Sequence, residues 1–203
     1  MARPPSKVAD EVASRGQGLA AYAARMERLY ADRKIGRPDL NRVYAGAFLS
    51  FHTYVERSLE RLFLGLLMGR FTSPGIGPLV TIKSEVVARA VVSGERKYVD
   101  WLPFERHSQA RAIAFLSSGK PFSEVEKADA RILDRLGIVR NAIAHESSHA
   151  LRTFRRTFVD GRSLPTEQQT PAGYLRGQHS PGVTRFANTI NETVVVFGKL
   201  CRK

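Results

Sequence analysis

Residues 39–68 read D-L-N-R-V-Y-A-G-A-F-L-S-F-H-T-Y-V-E-R-S-L-E-R-L-F-L-G-L-L-M, and the fold class turns on this run. Val43, Ala47, Tyr54, Leu62 and Leu66 recur at the i, i+3/i+4 spacing of a helix. Phe48, Phe51, Val55, Leu59 and Phe63 widen that stripe until it covers much of the circumference. A helix with so broad an apolar face has to be covered by other helices. Glu56 and Glu60 fall on its polar side, near Arg57 and Arg61, and are expected to be solvated charges.

The same periodicity extends outward from this run. Upstream, residues 7–33 carry Val8, Val12, Leu19, Tyr22, Met26 and Leu29 at helical spacing. Gly16 and Gly18 weaken that helix midway and predict two pieces. Gly36 and Pro38 punctuate the junction. Downstream, Gly69 ends the long helix and residues 71–78 read as a Gly/Pro loop. Residues 84–92 read as a short helix in preference to a strand, and residues 103–116 as another, closed by Gly119 and Pro121. Ser123 and Glu126 match a capping box opening a helix through Leu136, with Gly137 as a kink. Residues 161–182 are rich in Gly, Pro, Thr and Gln and read as one long loop. The last helix spans residues 184–200, with Phe186, Ile190, Val194, Phe197 and Leu200 inward. The chain is therefore expected to be all-α, with residues 1–36 an N-terminal helical extension and 37–203 the main helical domain.

Composition narrows the function. The chain has 203 residues, enough to bury a real core. Its 32 Lys and Arg against 19 Asp and Glu give a net charge of +13, and a surface that basic attracts polyanions, nucleic acid above all. The single cysteine, Cys201, excludes a disulfide framework within one chain and fits a reducing compartment. No run approaches the roughly 20 apolar residues of a membrane span, and residues 1–8 lack the apolar core of a secretory signal. A cytoplasmic protein without membrane contact is the expectation.

The chemistry concentrates in residues 136–154, L-G-I-V-R-N-A-I-A-H-E-S-S-H-A-L-R-T-F. On a continuous helix, at about 100° per residue, Asn141, His145 and His149 share one face. Arg140 then sits about 140° from His145, so the two meet only if the arginine reaches round or the helix ends nearby. An imidazole can take or give a proton near neutral pH, and a guanidinium offers two parallel donors to a phosphate. Asn141 can orient His145 or bond the phosphate. Arg152, Arg155 and Arg156 follow on the next turns, placed to guide an RNA backbone or simply to be solvated. In residues 170–177, T-P-A-G-Y-L-R-G, Tyr174 is a candidate to stack a base and Arg176 to bind phosphate. The alternative for Tyr174 is that it pins its loop to the helices.

Arg140-Asn141-x-x-x-His145 resembles the R-N-x-x-x-H signature of the HEPN superfamily, and the layout of residues 37–200 is similar to it. The resemblance implies an antiparallel helical bundle that forms a homodimer with its two motifs facing each other. It implies a metal-independent endoribonuclease in which the RNA 2′-hydroxyl attacks and a cyclic phosphate is left, with Arg140, Asn141 and His145 catalytic. His149, Arg152, Arg155, Arg156, Tyr174 and Arg176 are then second-tier RNA contacts, and no cofactor or metal is implied. A role as toxin or defence factor follows from the resemblance alone, with an antitoxin or other partner protein to match.

Two other readings use the same residues. HEPN-like domains include non-catalytic versions, so an RNA- or protein-binding module is one. The other is a zinc protease, because residues 145–149 spell H-E-x-x-H, two imidazoles on one helical face with Glu146 as base. Against it, Arg152 and Arg155 stand where the extended form of that motif has Gly and His. Glu167 and Glu192 are the possible third ligands. In the nuclease reading, Glu146 beside His145 raises its pKa or competes for Arg140.

Overall fold

A computed structural model describes residues 4–71, 77–94, 96, 98–145 and 147–201. Glu146 and most of the loop expected at 71–78 lie outside these residues. Helix makes up 73% of the described residues and the sheet among them has two short strands, so the fold is all-α. Among the described residues there are eight α-helices: α1 (Ser6–Ala31), α2 (Arg37–Leu67), α3 (Glu85–Ser93), α4 (Ala110–Phe115), α5 (Lys127–Ala144), α6 (Ser148–Phe158), α7 (Pro171–Arg176) and α8 (Arg185–Cys201). A hairpin of β1 (Gln178–Ser180) and β2 (Val183–Thr184) joins the last two. No helix of the described residues is long and apolar enough to cross a membrane.

The chain forms two compact units, and α1, α2, α5 and α8 each contribute a segment to both. The first unit holds residues 1–12, 54–134 and 193–203. Its core centres on Phe63 of α2, whose ring lies 5.2 Å from Trp101, 6.1 Å from Phe115 and 6.0 Å from Phe122. Ion pairs tie its helices at the rim: Arg61 to Glu11 at 2.6 Å and Lys199 to Asp129 at 2.7 Å. Glu60 is paired with Arg89 of α3, so the partner is supplied by another helix and not by the arginines beside it in sequence. Ser84 caps α3, accepting from the Val87 N–H.

The second unit holds residues 13–53 and 135–192. Here α1 corrects the expectation of two pieces: it runs unbroken through Gly16. A Cβ at Gly16 would sit 2.5 Å from Ile190 and 3.2 Å from Phe51, so the small residue serves close packing of α8 and α2 on α1. That packing outweighs roughly 1 kcal/mol of helix propensity lost at a glycine. Phe186 of α8 meets Tyr44 of α2 edge-on at 5.9 Å and Phe48 at 6.4 Å.

The stretch 103–116 is helical as expected, with a π-helical turn at Glu105–Gln109 leading into α4. Two further expectations are corrected. The capping box at Ser123 and Glu126 does not form, because the Ser123 hydroxyl donates to the Ser118 carbonyl at 2.7 Å and α5 begins only at Lys127. Residues 161–182 are not one loop. Thr170 caps α7, its Oγ1 accepting from the Gly173 N–H at 3.2 Å, and Pro171 occupies the first helical turn, where its missing N–H has no cost.

Candidate active site

The motif lies where α5 ends. Leu136, Val139 and Ala142 bury the inner side of that helix, so Arg140 and Asn141 fall on its outer side. The helix stops at Ala144; the His145 N–H still donates to the Asn141 carbonyl at 3.1 Å, closing the final turn. Ser147 then starts α6 in an extended conformation, its Oγ accepting from the Ala150 N–H at 3.2 Å. A helix break, and not a continuous helix, therefore separates His145 from His149. This corrects the expectation that Asn141, His145 and His149 share one helical face.

The break brings Arg140 to His145. Arg140 Nη1 donates to His145 Nε2 at 2.8 Å and to Asn141 Oδ1 at 2.9 Å. A guanidinium has no acceptor, so His145 meets it with the lone pair of a neutral Nε2, which leaves the proton on Nδ1. His145 and Asn141 are exposed and Arg140 half-buried, so a large ligand can reach all three. The same break leaves H-E-x-x-H without its geometry, since two zinc-binding imidazoles one turn apart require one helix. Among the described residues no group of three His, Cys, Asp or Glu is placed to hold a metal ion.

The first turn past the break opens a basic face. Ala150, Phe154 and Phe158 bury one side of α6, which leaves His149, Arg152, Arg155 and Arg156 exposed on the other. These four, with Thr153 and Asp160, line an open groove of about 530 Å³. Among the described residues, no carboxylate pairs with Arg152, Arg155 or Arg156. These cations are free to meet an external anion.

Tyr174 and Arg176 are placed differently. Tyr174 is buried against Phe154 at 5.8 Å and Phe158 at 5.0 Å, and the Arg185 guanidinium covers its ring at 4.7 Å. Its hydroxyl accepts from Arg162 at 3.2 Å. No face of the ring is left for a base, so Tyr174 pins α7 to α6. Arg176 donates from Nε and Nη2 to the two carboxylate oxygens of Glu27, at 3.0 and 3.3 Å, and lies 4.4 Å over the Tyr30 ring.

One residue of this neighbourhood carries no signal in the sequence. His52 of α2 is buried, and its pKa falls from 6.5 to about 4, first because burial penalises the charged ring and second because Arg140 repels it. His52 lies inside the apolar stripe of α2, where the pattern marks only core, and nothing local announces a neighbour in α5. No family model, curated protein or solved structure matches this chain.

Proposed function

We propose that this chain is a metal-independent endoribonuclease of the HEPN type, with Arg140, Asn141 and His145 as its reacting residues. The observation that carries the reading is the three-residue contact at the end of α5, with Asn141 and His145 exposed and Arg140 half-buried, followed in the chain by the exposed arginines of α6. A phosphodiester arriving at this point competes with His145 for the Arg140 guanidinium. Once Arg140 turns to the phosphate, Nε2 of His145 is a free base within reach of a 2′-hydroxyl. It takes that proton while the 2′-oxygen bonds to phosphorus and the 5′-oxygen leaves, and Arg140 offsets the charge gathering on the phosphoryl oxygens. The leaving oxygen needs a proton as well. A homodimer with facing motifs supplies it from the second copy's His145 in its protonated, imidazolium form, so that each cut uses one neutral histidine as base and one charged histidine as acid.

Toxin or defence work, restrained by a cognate antitoxin, is the biological role this reading carries. The test is to incubate the purified chain with RNA in excess EDTA and identify the new ends. Cleavage leaving 2′,3′-cyclic phosphates supports the reading. RNA that is bound and never cut overturns it in favour of a non-catalytic binding module.

A further inference from the structure

A second concavity in the same unit takes no part in this chemistry. It measures about 530 Å³ and is lined from α1 by Glu27, from α2 by Arg37 and Asn41, and further along the chain by Glu167, Gln168 and Arg176. Cavities of roughly 300–1,000 Å³ are the usual size for small-molecule ligands.

Its walls differ in charge. Glu27 is neutralised within the fold, since it holds Arg176 and also accepts from the Tyr44 hydroxyl at 3.0 Å. Arg37 has no carboxylate partner among the described residues. It and Arg176 both lie near the Tyr30 hydroxyl and lower its pKa below that of an ordinary phenol, Arg37 more strongly. Arg33, Lys34 and Asp39 line a recess beside Tyr30, with Lys34 paired to Asp32 at 3.6 Å. At the α1–α2 corner Arg37 is thus held by a phenol hydroxyl and by no carboxylate among the described residues, so an anion can share or displace that partner.

The other wall is lined by carboxamides and a carboxylate. The Gln168 Oε1 accepts from Arg185 at 2.9 Å, which leaves its NH₂ to donate to a ligand. Gly177 keeps this arrangement, because a Cβ there would collide with both Gln168 and Arg185. Asn41 and Gln178 add two more carboxamides, and the exposed Glu167 adds a carboxylate. Carboxamides match the amino and ring-nitrogen edge of adenine, and a carboxylate accepts from the amino group of cytosine. A guanidinium that meets a hydroxyl but no carboxylate among the described residues keeps donors for a phosphate.

We propose that this cavity binds a nucleoside monophosphate, its phosphate on Arg37 and its base against Gln168 and Glu167. The ligand is either a free nucleotide or the phosphorylated end of an RNA strand, which present the same chemistry. The site is separate from His145 and does not depend on RNA cleavage.

Calorimetric titration of the full chain tests it, with AMP, CMP, UMP, ribose 5-phosphate and inorganic phosphate as probes. AMP and CMP are expected to bind, UMP more weakly because it lacks an amino group, and the two base-free probes at least tenfold more weakly than AMP. Arg37→Glu removes binding, and Glu167→Gln narrows the gap between CMP and UMP; both residues are exposed, and unchanged circular dichroism confirms that the variants fold. His145→Ala keeps full AMP affinity, whether or not the chain cuts RNA. Three outcomes overturn the site: no nucleotide bound at millimolar concentration, AMP bound equally by Arg37→Glu, or inorganic phosphate bound as tightly as AMP. Where AMP binds, its displacement by a 5′-phosphorylated oligonucleotide and not by the 5′-hydroxyl form supports the site as a reader of RNA ends, and no displacement supports it as a receptor for free nucleotide.

Discussion

Two groups of arginines in the second unit look alike in sequence and do opposite things. Arg162, Arg176 and Arg185 each turn inward to an acceptor or a ring: Arg162 to the Tyr174 hydroxyl, Arg176 to Glu27 and Tyr30, Arg185 to Gln168 and the face of Tyr174. Arg152, Arg155 and Arg156 stand on the outer face of α6, whose inner face is filled by Phe154 and Phe158. Composition cannot separate the groups, because both lie in stretches that mix arginine with aromatics. What separates them is whether the fold already supplies a partner. An arginine with an internal partner stabilises the molecule, and one without is available to a phosphate.

The comparison is most exposed at the motif, since Arg140 belongs to both groups: it has an internal partner, but that partner is an exposed imidazole which a ligand can displace. His145→Ala should lower RNA cleavage by roughly 10²- to 10⁴-fold, the range for loss of a proton-transfer group, while unfolding is unchanged. Cleavage at the normal rate by this variant would remove His145 from the chemistry. A rate loss matched by a fall in melting temperature would make the contact structural and place Arg140 with the inward group.

The inward group predicts the reverse pattern. Tyr174→Ala should destabilise the fold by about 3–5 kcal/mol, the usual cost of emptying a large aromatic site. The ring fills the space between Phe154, Phe158 and Arg185, and its loss removes the acceptor of Arg162 and the ring under Arg185. Urea unfolding measures this. A variant as stable as the parent but weak in RNA binding would return Tyr174 to the role of a base-stacking residue.

These residues also show how far the sequence could be read. The apolar stripe of α2 was legible because burial imposes the helical period on the chain, and it located Phe48, Phe51, Leu59 and Phe63 in the core. The R-N-x-x-x-H spacing marked Arg140, Asn141 and His145, which the structure brings into contact. Helical geometry required either a long reach of Arg140 or a nearby helix end, but it did not locate the break, because Ser147 and Ser148 sit among alanines and histidines that a helix also accepts. The available signal was that serine is a strong N-cap residue. That Tyr174 pins its segment was one of two expectations, but its partners were not legible, since they come from α6 and Arg185, distant in sequence, and the Gly/Pro content around it suggested a loop where α7 forms. Gly16 misled for a related reason: local propensity described the residue, and a tertiary contact with Ile190 decided it.

His52 sharpens the comparison from beneath the motif. Its pKa in the fold is about 4 against an ordinary 6.5, and it is only 5% exposed. Between those two values the unfolded chain binds the more protons. The contribution of a neutral His52 is thus complete above pH 6.5, falls as the pH drops, and is lost by about pH 4, with a total on the order of 3 kcal/mol. Urea midpoints at pH 7.5 and 5 should differ more for the parent chain than for His52→Leu, which has no proton to gain. Equal differences would show that the buried ring does not drive the acid sensitivity.

On the outer face of α6, replacing Arg152, Arg155 and Arg156 with Ala together should leave stability nearly unchanged, since none has a carboxylate partner among the described residues. RNA affinity should fall and lose salt dependence. Each single-strand phosphate contact contributes about 0.7 to the slope of log affinity against log salt, so three lost contacts lower it by roughly 2. An unaltered slope would mean that the arginines are solvated charges, and the contrast with Arg176 would then carry no functional meaning.

The smallest effect is expected at His149, and it separates chemistry from surface. His149 is four residues beyond His145 in sequence but belongs to α6, on the far side of the Ser147 cap, where it shares the open groove with Arg152 and Arg156. It is exposed and makes no contact with Arg140 comparable to the 2.8 Å contact of His145. An imidazole lining the groove is expected to contribute a hydrogen bond to RNA, worth about 1 kcal/mol, or roughly a fivefold change in affinity. His149→Ala should therefore keep most of its cleavage rate at saturating RNA and show a modest rise in KM, whereas His145→Ala loses kcat. Measuring both variants across a range of RNA concentrations checks the split. If His149→Ala lost kcat as completely as His145→Ala, the two imidazoles would act as one unit across the helix break, and the site would have to be redrawn around both.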